Sequence, residues 1–227
     1  MNDNLTCMKY LVYTNKIWDL NNFEIKKKFF LVKKKLNYKF IEKTNPKIIF
    51  FIYWSEMIPD KIFKNYLCIQ FHTSDLPKFR GGSPIQNQIL NKVKRTKISA
   101  FKVNAKIDNG QICLKRNISL DGSAKQIYIN IEKKIIKMIN FISKLKIIKF
   151  SKQTGRASFY TRRLPNDSKL DLNKENGLQN IYDLIRCTDA PGYPKAFIEI
   201  NNFKLELFDA KIRNKKINAK IKITKKK

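Results

Sequence analysis

The chain is poor in the residues that would make its function obvious. It has one histidine, seven glycines and no C-x-x-C pair among its four cysteines. Cys7, Cys68, Cys113 and Cys187 are far apart, which fits neither a zinc cage nor a disulfide framework and leaves four reduced thiols as the default. No run of about 18 apolar residues is present, and Met1 to Thr6 lacks the apolar core of a signal peptide. No membrane partner and a cytoplasmic location are therefore expected. Acidic side chains are also scarce: 18 Asp and Glu face 48 Lys and Arg, a net charge of +30. So strong an imbalance suggests nucleic acid or an anionic membrane face. Only eight of the cations are Arg, however, and the lysines are spread along the whole chain among Ile and Asn. Lysine lacks the planar fork that reads phosphates and bases in pairs.

What is present is enough to bury a core. Hydrophobic residues make up 43% of the 227, including sixteen Phe and nine Tyr. Met8 to Thr14, Lys47 to Tyr53, Leu67 to His72, Ile98 to Val103 and Gln111 to Ile118 read as strands, the second buried on both faces. Helices are expected from Pro59-Asp60, over Ser83 to Leu90, and over Ser123 to Ile148, where apolar residues recur at helical spacing. Trp18 to Leu36 is only loosely helical. The alternation predicts an α/β domain over residues 1–150 with a mainly parallel, Rossmann-like sheet. Ser151 to Tyr160 is a polar connector. Residues 151–227 then read as a small extension with a helix at Asn180 to Cys187, strands at Ala196 to Ile200 and Phe203 to Ala210, and a fraying basic tail. The C-terminal strands are candidates for pairing across a homodimer interface.

The least ordinary stretch is Gln70 to Gln86, QFHTSDLPKFRGGSPIQ. His72 stands at the end of a parallel strand, where open α/β sheets bind ligands. The plainer alternative is a strand-end histidine hydrogen-bonded to a loop. Arg80-Gly81-Gly82-Ser83 precedes a helix and could offer backbone N–H groups to a polar or anionic ligand, or could simply make a turn. Asp108 lies on the tight Asp108-Asn109-Gly110 turn. With His72 it would form a minimal acid/base pair.

The segment HTSDLPKFRGGSPIQ resembles the H-x-S-L-L-P-x-Y/F-R-G-x-x-P-I/L-Q motif of formyltransferases that use 10-formyltetrahydrofolate, and NAKIDNGQICL (Asn104 to Leu114) resembles their L-D-x-G-x-I turn. IIFFIYWSEMIP (Ile48 to Pro59) is similar to the strand and folate loop of the family. TRRLPND and IYDLIRCTDAPGYPKAF look like the segments that follow its catalytic domain. Resemblance extends from about Lys47 to Phe197. It implies a formyltransferase fold with an abbreviated N-terminus and 10-formyltetrahydrofolate as formyl donor, with no metal. His72 would stabilise the oxyanion and Asp108 would accept the proton of the attacking amine. Gln70 replaces the family's asparagine, one methylene longer. Trp54, Ser55, Met57, Ile58, Val103 and Lys106 would form the folate slot, with core packing as the alternative for Trp54 and Met57. Arg80, Gly81, Gly82 and Ser83 would meet the acceptor. The short extension favours a nucleotide-linked amino sugar as acceptor. The alternatives are methionyl-tRNA and a noncatalytic folate- or nucleic-acid-binding remnant.

Overall fold

A computed structural model describes residues 9–14, 29–32, 35–173 and 177–226. The chain forms two compact units. The first comprises residues 1–81, 96–118 and 129–159, and the second 82–95, 119–128 and 160–227.

The first unit is built on a six-stranded sheet of β1 (Tyr10–Thr14), β2 (Phe29–Val32), β3 (Ile48–Ile52), β4 (Cys68–His72), β6 (Arg95–Lys102) and β7 (Ile112–Ser119), in the order β2-β1-β3-β4-β6-β7. β5 (Arg80–Gly81) is a two-residue strand outside this sheet. β2, β1, β3 and β4 run parallel, and β6 is antiparallel to β4. The expected mainly parallel α/β sheet is present. All five residues of β3 are buried, as its unbroken apolar run requires.

Side chains alternate across the sheet and define its two layers. Leu11, Tyr13, Ile49, Phe51 and Cys68 share a core cluster with Ile41 of α1 (Tyr38–Thr44) and Ile62 of α2 (Asp60–Asn65). Tyr10 points the other way and donates to the Ser143 carbonyl at 2.8 Å, just beyond the end of α4 (Ala124–Ile142). The expected α4 stripe is real: Ile131, Ile135, Met138, Ile139 and Ile142 are all buried.

One expectation for this unit fails and one element goes unforeseen. Within the segment read as loosely helical, Phe29–Val32 is a strand paired in parallel with β1, its Phe29 ring 5.0 Å from that of Tyr10. Sheet pairing of a short aromatic and β-branched run outweighs the weak helical spacing. Residues 18–28 and 33–34 of that segment, like Met8, lie outside the described residues. Helix α1 is absent from the sequence expectations. It is defined by its ends, with the Asn37 side chain accepting from the Phe40 N–H and Asn45 closing it in the left-handed region.

In the second unit α3 (Pro84–Leu90) and α5 (Leu178–Thr188) are tied through Gln86, whose amide donates to the Cys187 carbonyl and the Tyr128 hydroxyl. β8 is the two-residue strand Phe159–Tyr160. β9 (Ala196–Ile200), β10 (Phe203–Arg213) and β11 (Lys216–Lys225) form an antiparallel sheet. The tail expected to fray is thus mostly strand. Its basic–apolar alternation has period 2, which sets Ile221 and Ile223 opposite Leu207 and Leu205. Among the described residues no helix is long and apolar enough to cross a membrane.

Candidate active site

Gln70, His72 and Asp108 all belong to the first unit. Cys68, Gln70 and His72 alternate along β4 onto the same face, and Cys68 is rooted in the core cluster. His72 is the last residue of β4 and is buried. Its Nε2 lies 2.7 Å from the Phe79 carbonyl. A carbonyl can only accept, so Nε2 carries a proton. Nδ1 is therefore the nitrogen that faces Asp108 Oδ2 at 3.5 Å, with both side chains less than one-tenth exposed. The separation is slightly longer than a hydrogen bond and within ion-pair reach. The atoms that face each other across this gap are a ring nitrogen and a carboxylate oxygen.

The carboxylate is held from its far side. Gly81 N–H donates to Asp108 Oδ2 at 2.8 Å. Asp108 itself has a φ of 47°, the left-handed region, which the Asp108-Asn109-Gly110 turn imposes. Gly110 is required by close approach: a Cβ there would stand 1.6 Å from the Lys102 carbonyl oxygen. His72 and Asp108, thirty-six positions apart, are brought together in the sheet as expected. The simple strand-end alternative for His72 holds for one nitrogen only, since Nε2 bonds a loop carbonyl while Nδ1 meets the carboxylate.

Gln70 Nε2 donates to the Trp54 carbonyl at 3.3 Å. Its amide thus reaches the loop after β3. Trp54, Ile58 and Val103 are all buried in the core cluster, Trp54 against the rings of Tyr13 and Phe51. Core packing is thus the answer for the Trp54 ring, whereas Met57, 61% exposed, is not core. Ser55 and Lys106 are exposed, and Lys106 N–H donates to Asn104 Oδ1. The loops 53–59 and 103–107 are therefore rooted in one apolar cluster.

The Arg-Gly-Gly-Ser segment does not offer open amides as expected. Arg80 N–H donates to the Ser158 carbonyl, Gly81 N–H to Asp108, and Gly82 N–H to the Tyr160 carbonyl. Backbone pairing of the segment uses these donors. Arg80 is buried, with its guanidinium donating to Gln153 Oε1 at 2.6 Å and 5.5 Å from the Phe159 ring. Burial lowers its pKa, partly offset by the Asp108 charge. Gly82 and Ser83 belong to the second unit, where the Ser83 hydroxyl accepts from Arg163 N–H and from the Tyr193 hydroxyl.

Sequence reasoning missed Gln153. Its Nε2 donates to the carbonyls of Asp108 and Gly110 at 2.8 and 2.9 Å. No signal in the polar connector marks it, because its partners lie more than forty residues earlier.

The chain is similar to known proteins in both sequence and fold. Residues 26–135 match the family model described as formyl transferase, and residues 165–224 match that of the methionyl-tRNA formyltransferase C-terminal domain. The structure of methionyl-tRNA formyltransferase from Clostridium thermocellum is 37% identical, with a TM-score of 0.88. The match covers 96% of this chain and 99% of that one. The methionyl-tRNA formyltransferase of Thermotoga sp. (strain RQ2) is 28% identical over 184 residues, and the chain spans only 58% of that relative's length. A likely sugar N-formyltransferase from Mycobacterium tuberculosis, at 12% identity and a TM-score of 0.66, shares the fold. With both family models matched and 37% identity sustained over nearly the whole of a solved relative, the chain belongs to the formyltransferase family.

Proposed function

We propose that the protein is an N-formyltransferase that moves a formyl group from 10-formyltetrahydrofolate to the amine of methionyl-tRNA. The observation that carries the reading is the buried Nδ1-to-carboxylate pair of His72 and Asp108 at the C-terminal end of β4, with Gln70 on the same face. A flat heteroaromatic donor with hydrogen-bonding edges would lie beside it, against the loops 53–59 and 103–107. The two adjoining loops share the apolar base of Trp54, Ile58 and Val103, and Trp54 Nε1 is buried without an acceptor among the described residues. When bound, the folate supplies a formyl carbon already activated on nitrogen.

The chain's own groups do the rest. An amine attacks only when uncharged, so the proton it sheds needs a nearby acceptor. Asp108 Oδ2 takes it directly or through water, Nδ1 of His72 shares it across the 3.5 Å gap, and it passes to the departing folate nitrogen as that nitrogen's bond to the formyl carbon breaks. With Nε2 committed to the Phe79 carbonyl and Nδ1 turned to Asp108, the Gln70 amide is the donor left for a developing oxyanion. Dry surroundings strengthen each of these interactions.

Acceptor choice is supported by charge and by the second unit. A net charge of +30 attracts a polyanion, and β10 and β11 expose Lys211, Arg213, Lys215, Lys216, Lys222 and Lys225 along one hairpin. The amino-sugar reading rests on the short C-terminal part, yet this chain covers 99% of the Clostridium thermocellum methionyl-tRNA formyltransferase, so a short build does not separate the two. The test offers 10-formyltetrahydrofolate with methionyl-tRNA and, separately, with nucleotide-linked amino sugars. Formyl product on the tRNA is expected. Product on the sugar alone would overturn the acceptor assignment, and folate binding with no product on any amine would make the chain a remnant.

A further inference from the structure

We propose that Gln153 is a positioning residue for the reaction, fixing Asp108 against His72 from the connector that follows α4. The proposal rests on the reading of Asp108 as proton acceptor and goes beyond it, because Gln153 touches neither reacting group's functional atoms. Its amide bridges three partners. Nε2 donates to the Asp108 and Gly110 carbonyls at 2.8 and 2.9 Å, while Oε1 accepts from the Arg80 guanidinium at 2.6 Å. These hydrogen bonds permit one amide orientation. Rotated by half a turn, the oxygen would face two carbonyl oxygens and the NH2 would face a cation.

The turn needs such a clamp. Asp108 sits in the left-handed region, which side chains other than glycine adopt at a cost, and Gly110 lies against the Lys102 carbonyl. Gln153 grips the carbonyls on both sides of Asn109, so the carboxylate is carried on a turn fixed at two points. Arg80 fixes the gripping amide in turn. Its buried cation has the neutral Gln153 oxygen as hydrogen-bond partner, and its neighbour Gly81 donates to the same Asp108 carboxylate. The residue that fixes the backbone clamp and the residue that holds the carboxylate are thus neighbours, Arg80 and Gly81.

The sole histidine makes the proposal measurable without turnover, because every imidazole resonance belongs to His72. Gln153→Glu is the decisive variant. It keeps the length and the Arg80 partner but has no N–H for the two carbonyls. Gln153→Ala removes all three hydrogen bonds. In 15N-labelled full-length protein, both variants are expected to move the Nδ1 resonance toward its position in Asp108→Asn. In both, kcat for formyl transfer should fall on the order of 100-fold with KM unchanged, the scale of an ångström misplacement. An imidazole spectrum identical to wild type in Gln153→Glu would overturn the proposal. A shifted resonance in a protein whose wild type transfers formyl to no amine would uphold the positioning role and reject the enzymatic reading instead.

Discussion

Gly110→Ala separates the turn that presents Asp108 from the carboxylate itself. The added Cβ falls 1.6 Å from the Lys102 carbonyl oxygen and 3.0 Å from the Phe101 ring, and real approaches of this kind do not fall below 3.0 Å. Something must retreat by more than an ångström. Lys102 is poorly placed to do so, since its N–H is bonded to the Gln111 carbonyl and the next N–H, that of Val103, to Cys68 in β4. The turn moves instead, taking Asp108 from Nδ1 of His72 and the two carbonyls from Gln153. Overpacking of this sort costs about 1–3 kcal/mol, which lowers the melting temperature by roughly 2–12 °C for a chain of this size. Displacing the proton acceptor by an ångström costs on the order of 100-fold in rate. Calorimetric melts and formyl-transfer kinetics of the purified variant read both effects. A variant that melts and turns over like wild type would refute the close approach and the coupling drawn from it.

Gln70→Leu should lower transfer by about 10²- to 10³-fold, the scale of a lost oxyanion donor, while Gln70→Asn retains an amide and is expected to match or exceed wild type; equal rates for all three would remove the amide from the mechanism. Burial pushes the Asp183 carboxyl up, but hydrogen bonds from Lys92 and Arg186 outweigh it and leave the group below its usual range. Its stabilisation is therefore complete above the unfolded value of about 3.9 and fades as pH falls through the lower folded value. Asp183→Asn should cost about 3 kcal/mol at neutral pH, with the gap from wild type narrowing below about pH 4; urea melts showing a constant gap would contradict this. Replacing Lys215, Lys216 and Lys222 by Ala should flatten the salt dependence of tRNA binding by about 0.9 in slope for each phosphate no longer neutralised, and an unchanged slope would discount the hairpin.

The parts of the fold legible in sequence are those whose signal is local. The unbroken KIIFFIY run gives β3, the apolar stripe from Ile131 to Ile142 gives α4, and Asn109-Gly110 gives the turn between β6 and β7. The convergence of His72 and Asp108 is legible because each stands at the end of a recognisable element, and two motifs in order fix their spacing. Other features depend on partners the sequence does not place beside them. Phe29–Val32 becomes a strand only when β1 is there to pair with it. β11 looks like a charged tail until Leu205 and Leu207 supply an apolar face opposite. The Arg80 to Gly82 amides look open in sequence because their acceptors, at Ser158, Asp108 and Tyr160, lie far along the chain. Gln153 is the extreme case, a polar residue in a polar connector whose meaning lies wholly in two carbonyls of a distant turn.

The central claim is that His72 and Asp108 act as one unit on one proton. A double-mutant cycle on formyl transfer to methionyl-tRNA, with His72→Ala, Asp108→Ala and the pair together, tests it most directly. A large loss is expected in each single variant and little further loss in the double, as for groups that work jointly. Near-normal transfer in either single variant, or losses that simply multiply, would contradict it.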